Sequence, residues 1–427
     1  MKWASARKGG SRASSAVLVV GNVSMMLSGL VTAPLTAVAL GPSGRGIVVI
    51  ATLLSSLIVL TSSMGLGWAA RDQVSKDPRA AVSLRRRAAR LSWVATPLAV
   101  VVAIPVLAWL DLSNAEGAAV IVLFAAAGLA ATRAVDANIL IARDRPQNVG
   151  WINVAYSVGM AFAICLLFFT SQLTVATAIA SSALGLALQA ALLTVFARRE
   201  IRATQASEWK LSGDRPDEEP VRVREMLRYW RGQLVDAAAA RGDGVVMAVS
   251  APAHAVGLYS IAGILTQVGY VVFMSAVQLS FAASPRVSAD ERLLRLLHGN
   301  LLIATALSLL AYPLAYFAIP AVLGADFLGS RGYLLSAVTV LYGLAVATAI
   351  TQDAARRRAS WAPVVAVVAS VAAGVASAHM FGFPVAVSTF GGMLVVLGAT
   401  YAVGRLGRRV LNFDLGATIG LVRRRAA

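Results

Sequence analysis

Apolar runs of membrane-crossing length, separated by short polar breaks, repeat from one end of the 427-residue chain to the other. A helix needs about 20 such residues to cross roughly 30 Å of hydrocarbon. Twelve runs reach that length, near 14–40, 46–70, 91–110, 118–142, 150–170, 172–197, 232–250, 257–283, 299–320, 332–352, 361–380 and 384–404. They predict an all-α polytopic membrane protein with twelve transmembrane helices. The longest and most polar break, 198–231, holds Arg198-Arg199-Glu200 and Gly213-Asp-Arg-Pro-Asp-Glu-Glu-Pro220. It reads as a cytoplasmic linker, disordered in part. It separates an N-terminal six-helix lobe, 1–197, from a C-terminal six-helix lobe with a basic tail, 232–427. The halves look related, because Gly46-Ile-Val-Val-Ile-Ala51 opens the second run and Gly257-Leu-Tyr-Ser-Ile-Ala262 opens the eighth, 211 residues later. Six is even, so both halves insert in the same orientation, about an axis along the membrane normal.

Charge placement orients this arrangement. Of the 38 Lys and Arg residues, 34 fall on one side when the N-terminus is assigned to the cytoplasm and the runs alternate. Only Arg45 and Arg331 fall outside, and Arg133 and Arg241 lie within runs. That is the positive-inside pattern, with both termini cytoplasmic. Composition agrees, with 58% hydrophobic and 14% charged residues. The net charge of +18 is explained by topology and attraction to anionic membrane lipids, so it implies no nucleic-acid partner. The basic N-terminus with Lys2, Arg7, Lys8 and Arg12 resembles a secretory signal, but the run behind it is too long for one. It is expected to be retained as the first span. The segment 77–90, with Arg85-Arg-Arg87, reads as a topology signal or as an amphipathic helix lying on the inner leaflet.

Ionisable and amide groups inside the runs are the candidate chemistry, since a charge at membrane depth costs at least a few kcal/mol. Arg241 and Asp243 interrupt the seventh run between glycines, and Asp236 lies seven residues before Asp243 on the same helical face. Arg133 and Asp136 in the fourth run are spaced i, i+3. They read either as a buried ion pair or as an arginine offered to an anionic group. Asn22, Asn138, Asn153, Gln267 and Gln278 are amides suited to interhelical hydrogen bonds or to a sugar. A lone Cys165 and scattered His254, His298 and His379 offer no disulfide, metal site or cofactor site. Charged groups outside the membrane are few, namely Arg45, Asp111, Glu116, Asp326 and Arg331 on short turns, with no acid–base or nucleophile–base set. An enzyme is therefore not expected.

The order of motifs resembles a known family. Leu40-Gly-Pro-Ser-Gly-Arg-Gly46, running into a helix that ends Gly65-Leu-Gly-Trp-Ala69, is similar to the first signature of the polysaccharide and oligosaccharide flippases. These belong to the multidrug/oligosaccharidyl-lipid/polysaccharide (MOP) exporter superfamily. Arg241-Gly-Asp243, Gly257-Leu-Tyr-Ser-Ile-Ala262 and Ser284-Pro-Arg-Val287 resemble the second, and Leu323-Gly-Ala-Asp-Phe327 a looser third. The resemblance implies a monomeric, multi-pass protein of the bacterial cytoplasmic membrane that turns a polyprenyl-(pyro)phosphate-linked oligosaccharide from inner to outer leaflet by alternating access. Its partners would be that lipid-linked glycan, membrane lipids and glycan biosynthesis enzymes. Arg241, Asp243, Arg133, Asp136, Asp236, Asn22, Asn153 and Gln267 would line the transport cavity. The alternative is an ion-coupled multidrug or small-molecule antiporter on the same fold. That reading expects a carboxylate in the first span, and residues 14–40 contain none.

Overall fold

The computed structural model describes residues 8–208, 223–282, 288–356 and 362–407. The expected linker centre, the motif at Ser284–Val287 and the tail beyond Gly407 lie outside them. Helix α1 (Lys8–Ser62) is two helices joined at Gly41, whose φ of 65° breaks the rod between the first two expected spans. Pro42 follows at once, in the position where proline suits a helix start. Then come α2 (Leu66–Lys76), α3 (Ala80–Leu110), α4 (Asn114–Leu129), α5 (Ala131–Ala142), α6 (Pro146–Phe169) and α7 (Val175–Glu208). The second half holds α8 (Val223–Ser250), α9 (Ala253–Ala262), α10 (Ile264–Ala282), α11 (Ala289–Leu323), a 3-10 helix (Ala325–Tyr333), α12 (Leu334–Arg356), α13 (Ala362–Phe381) and α14 (Phe383–Leu406).

Among the described residues nine helices are long and apolar enough to cross a membrane, and the pair α9–α10, bent by 49°, makes a tenth. Counting α1 as two and adding the charged α8 gives each of the twelve expected runs a helix. Two details differ from expectation. Residues 80–90 do not form a separate surface helix, because α3 runs unbroken from Ala80 into the membrane run. The described parts of 198–231 are helical, as the ends of α7 and α8.

The chain divides into two compact units, Met1–Leu234 and Val235–Ala427, and the division falls inside α8. Lipid tails are as apolar as leucine, so helices associate by close packing rather than by escaping water. In the first unit α1 crosses α6 where Gly21 meets Gly150 backbone to backbone. A Cβ on Gly150 would come within 2.4 Å of the Val17 carbonyl oxygen, so no larger residue fits. Phe124, Leu123, Val120 and Ile179 fill one core of this unit. Leu66, Leu84 and Ile139 fill a second, against which Met226 and Tyr229 of α8 pack. In the second unit, Leu293, Val346, Ile350 and Ala402 join α11, α12 and α14.

Three of the charges that the sequence pattern assigns to the outside serve the fold. Ser113 caps α4, and Glu116 completes the capping box by accepting from the Ser113 N–H at 3.0 Å. Arg331 donates to the Tyr316 carbonyl at 2.8 Å and lies 4.3 Å over the Tyr316 ring. Arg45 donates to the Thr36 hydroxyl at 2.8 Å.

Candidate transport site

The charged residues of the first unit fall into two separate groups. Asp136, fully buried on α5, accepts from Arg85 Nε at 3.0 Å and from the Thr194 hydroxyl at 2.6 Å. Arg85 starts at the polar end of α3 and reaches inward along its aliphatic stem. The ion pair suggested by the i, i+3 spacing of Arg133 and Asp136 therefore does not form. Arg133 instead donates to Gln189 Oε1 at 2.7 Å.

That bond begins a polar chain across four helices. Gln189 Nε2 donates to Asn153 Oδ1 at 2.9 Å, and Asn153 Nδ2 reaches Asn22 Oδ1 at 3.4 Å. Ser157 donates to the Asn153 carbonyl at 2.7 Å and also receives a long 3.4 Å contact from Ser24. Gln189 and Asn153 are buried, while Arg133 is half-buried. Each amide passes its carbonyl to one neighbour and its NH2 to the next, so the chain holds Arg133 in place without neutralising it. Three of the expected site residues, Asn22, Arg133 and Asn153, thus meet in one network. Asn138 does not join it, and donates to the Ala134 carbonyl of its own helix at 2.8 Å. Gln189 was legible as the one amide in the apolar stretch 175–197, although nothing in its spacing marked it as Arg133's partner.

The second unit holds Asp243. It is buried on α8 and accepts a short hydrogen bond from the Tyr259 hydroxyl on α9. Tyr259 is itself buried, and its ring meets Tyr333 edge-on at a centroid distance of 5.8 Å. The carboxylate is thereby tied through one aromatic pair to the 3-10 helix between α11 and α12. Phe390 packs where Gly242 leaves room, since a Cβ there would lie 2.5 Å from its ring. Arg241 is exposed, two residues from Asp243 but outside its hydrogen bond. Gln267 is exposed as well. The side chains of Asp236 and Gln278 lie outside the described residues. Tyr259 was visible in the sequence only as part of a motif, not as a partner for Asp243.

Neither a family model nor a curated protein sequence matches the chain. Solved structures do. An inward-facing multidrug resistance MATE family transporter of the MOP superfamily superposes with a TM-score of 0.55 at 14% identity, over 94% of this chain and 96% of that one. An outward-facing structure of the same description gives 0.52 at 15% identity, over 95% and 96%. A mutant of the Vibrio cholerae MATE transporter VcmN gives 0.55 at 13% identity, over 95% and 98%. This chain has the MATE fold. The likeness runs through nearly the full length of this chain and of each neighbour, and these neighbours are described as MATE transporters, whereas the motifs resemble the polysaccharide flippases.

Proposed function

We propose that the protein is an alternating-access exporter of the cytoplasmic membrane, working as an ion-coupled antiporter of small molecules. The observation that carries this reading is the full-length likeness to MATE transporters in both an inward-facing and an outward-facing state. In this reading Asp243 is the coupling carboxylate. It is buried in a span, where an ionisable group is costly and normally kept for a pathway, and Tyr259 holds its geometry. Asn153 and Asn22 contact the exported molecule from the first unit, and both termini face the cytoplasm. The test is efflux from vesicles carrying an imposed proton or sodium gradient, with a panel of fluorescent substrates. Asp243→Asn should insert normally and lose gradient-driven efflux. Efflux equal to the unmodified protein's would refute the assignment.

A second reading keeps the fold and changes the cargo to a lipid-linked oligosaccharide, with glycan biosynthesis enzymes as partners. The observation that favours it is Arg133, a cation bonded to a neutral amide while the neighbouring carboxylate is taken by Arg85. A planar guanidinium with spare donors suits a phosphate. Under this reading Arg133→Gln abolishes transfer of an anionic lipid-linked sugar between leaflets. Under the first it leaves efflux of cationic dyes intact.

A further inference from the structure

The joint between α1 and α2 has a construction that neither reading above uses. Met64 has a φ of 43° and Gly65 a φ of 75°. Left-handed backbone is uncommon for a residue that carries a Cβ, and such strain persists only where surroundings enforce it. The surroundings here are the first turns of α8. Gln233, buried, accepts from the Gly65 N–H at 3.1 Å and exchanges hydrogen bonds with the Ser63 hydroxyl at 2.8 and 3.1 Å. Trp230 presses its backbone on Gly65, where a Cβ would lie 2.4 Å from the Trp230 nitrogen. Tyr229 donates to Asp72 of α2 at 2.5 Å. The indole N–H of Trp230 is buried beside these contacts and finds no acceptor among the described residues. A buried unsatisfied donor, like a strained φ, raises the energy of the state that contains it.

These contacts belong to the first compact unit, which ends at Leu234, one residue after Gln233. The helix does not end there, and α8 continues unbroken to Ser250 in the second unit. We infer that the 226–233 stretch of α8 is a clasp on the α1–α2 joint, which holds this conformation and releases when the transporter changes state. The inference rests on the alternating-access reading for its purpose but not for its detection. Because α8 carries the chain on into the second unit, a movement passed along this helix reaches Gln233 first among the clasp residues. The groups it must free are amides, hydroxyls and the half-exposed carboxylate of Asp72, all of which water can satisfy. The strain at Met64 and Trp230 keeps the clasped state from being too stable to leave. Packed elements of this kind switch between discrete arrangements rather than deform smoothly.

The experiment uses the full chain in membrane vesicles with Cys165→Ser, and Ser63→Cys as a reporter at a position only 2% exposed. The rate of modification by a water-soluble maleimide reads release. Gln233→Ala and Gly65→Ala should each raise that rate by about fivefold or more, the scale expected for losing one or two net hydrogen bonds. A second reporter, Ser92→Cys on α3, is 5% exposed, lies outside both the clasp and the polar chain, and should stay at its basal rate. An unchanged rate at position 63, or a parallel rise at both reporters, overturns the clasp. In a second arm, Ser63→Cys and Gln233→Cys are bridged by a short, cleavable bifunctional thiol reagent. Bridging should stop efflux and reduction restore it, and bridged protein that exports at the unbridged rate also overturns the proposal. Selective labelling at position 63 with no efflux from any variant keeps the clasp and defeats the transport reading instead.

Discussion

Removing Arg85 should damage the protein far more than removing Arg133, although Arg133 lies deeper in an apolar run. Asp136 has a side-chain exposure of 0% and Arg85 of 17%, with 3.0 Å between them. Breaking a buried pair by deleting one partner costs roughly 3–5 kcal/mol, because the other charge stays behind. Thr194 remains on the second carboxylate oxygen at 2.6 Å, which places Arg85→Met near the lower end, about 3 kcal/mol. A domain of 150–250 residues loses about 2–4 °C per kcal/mol, and the unit holding the pair ends at residue 234, so the melting temperature should fall by about 6–12 °C. Arg133→Met loses one hydrogen bond to a neutral amide but also removes the burden of a poorly solvated cation. Its net cost should stay below about 1.5 kcal/mol. The assay is the loss of the monodisperse peak on heating in detergent. Asp136→Asn should recover most of the Arg85→Met loss, since the amide keeps an acceptor for Thr194 and carries no charge. Equal damage from the two arginine variants, or rescue of Arg133→Met rather than Arg85→Met by Asp136→Asn, would refute the pairing.

Three further outcomes are expected. Gly150→Ala should lower the melting temperature by about 2–12 °C through overpacking at the α1–α6 crossing, while Gly159→Ala, with nothing within 4 Å of its new Cβ, should change it little. Tyr259→Phe keeps the ring contact to Tyr333 but strips Asp243 of its hydroxyl, so it should cost about 1–3 kcal/mol in the same melt and slow gradient-driven efflux. Cysteines placed at the exposed positions Ser43 and Arg90 should react with impermeant reagents from opposite sides, Ser43→Cys from outside and Arg90→Cys from the cytoplasm. Labelling of both from one side would undo the topology drawn from charge placement.

The membrane-crossing helices were legible because length and apolarity are properties of a single segment. Gly41-Pro42 marked the break in α1 for the same reason, since both residues act on their own backbone. The interruption at Ala130 was not legible, because the apolar pattern runs through it unchanged and only its ψ of 0° betrays the turn between α4 and α5. Likewise the 49° bend between α9 and α10 sits at Gly263, one glycine among many in such helices. Sequence spacing also supplied the candidates for the site, as each was a polar residue out of place in an apolar run.

Partner choice was the part that spacing misread, and the error has a definite cause. Spacing on one helix ranks neighbours by turn, so it offered Arg133 to Asp136. Their actual partners lie 51 residues away for Asp136 and 56 for Arg133, set by which faces of α3, α5 and α7 meet. Once Arg85 reaches the carboxylate, that single charge cannot also neutralise Arg133 without leaving Arg85 unbalanced. The polar chain through Gln189 and Asn153 then does something an ion pair cannot, in that it orients the cation and leaves its charge available. A protein that needed only to bury Arg133 would gain more from a carboxylate at position 189. Gln189→Glu therefore separates structure from function. It should leave the melting temperature unchanged or raise it by pairing Arg133, and it should depress transport if that charge meets cargo. Unimpaired transport together with a higher melting temperature would mean that Arg133 is only structural.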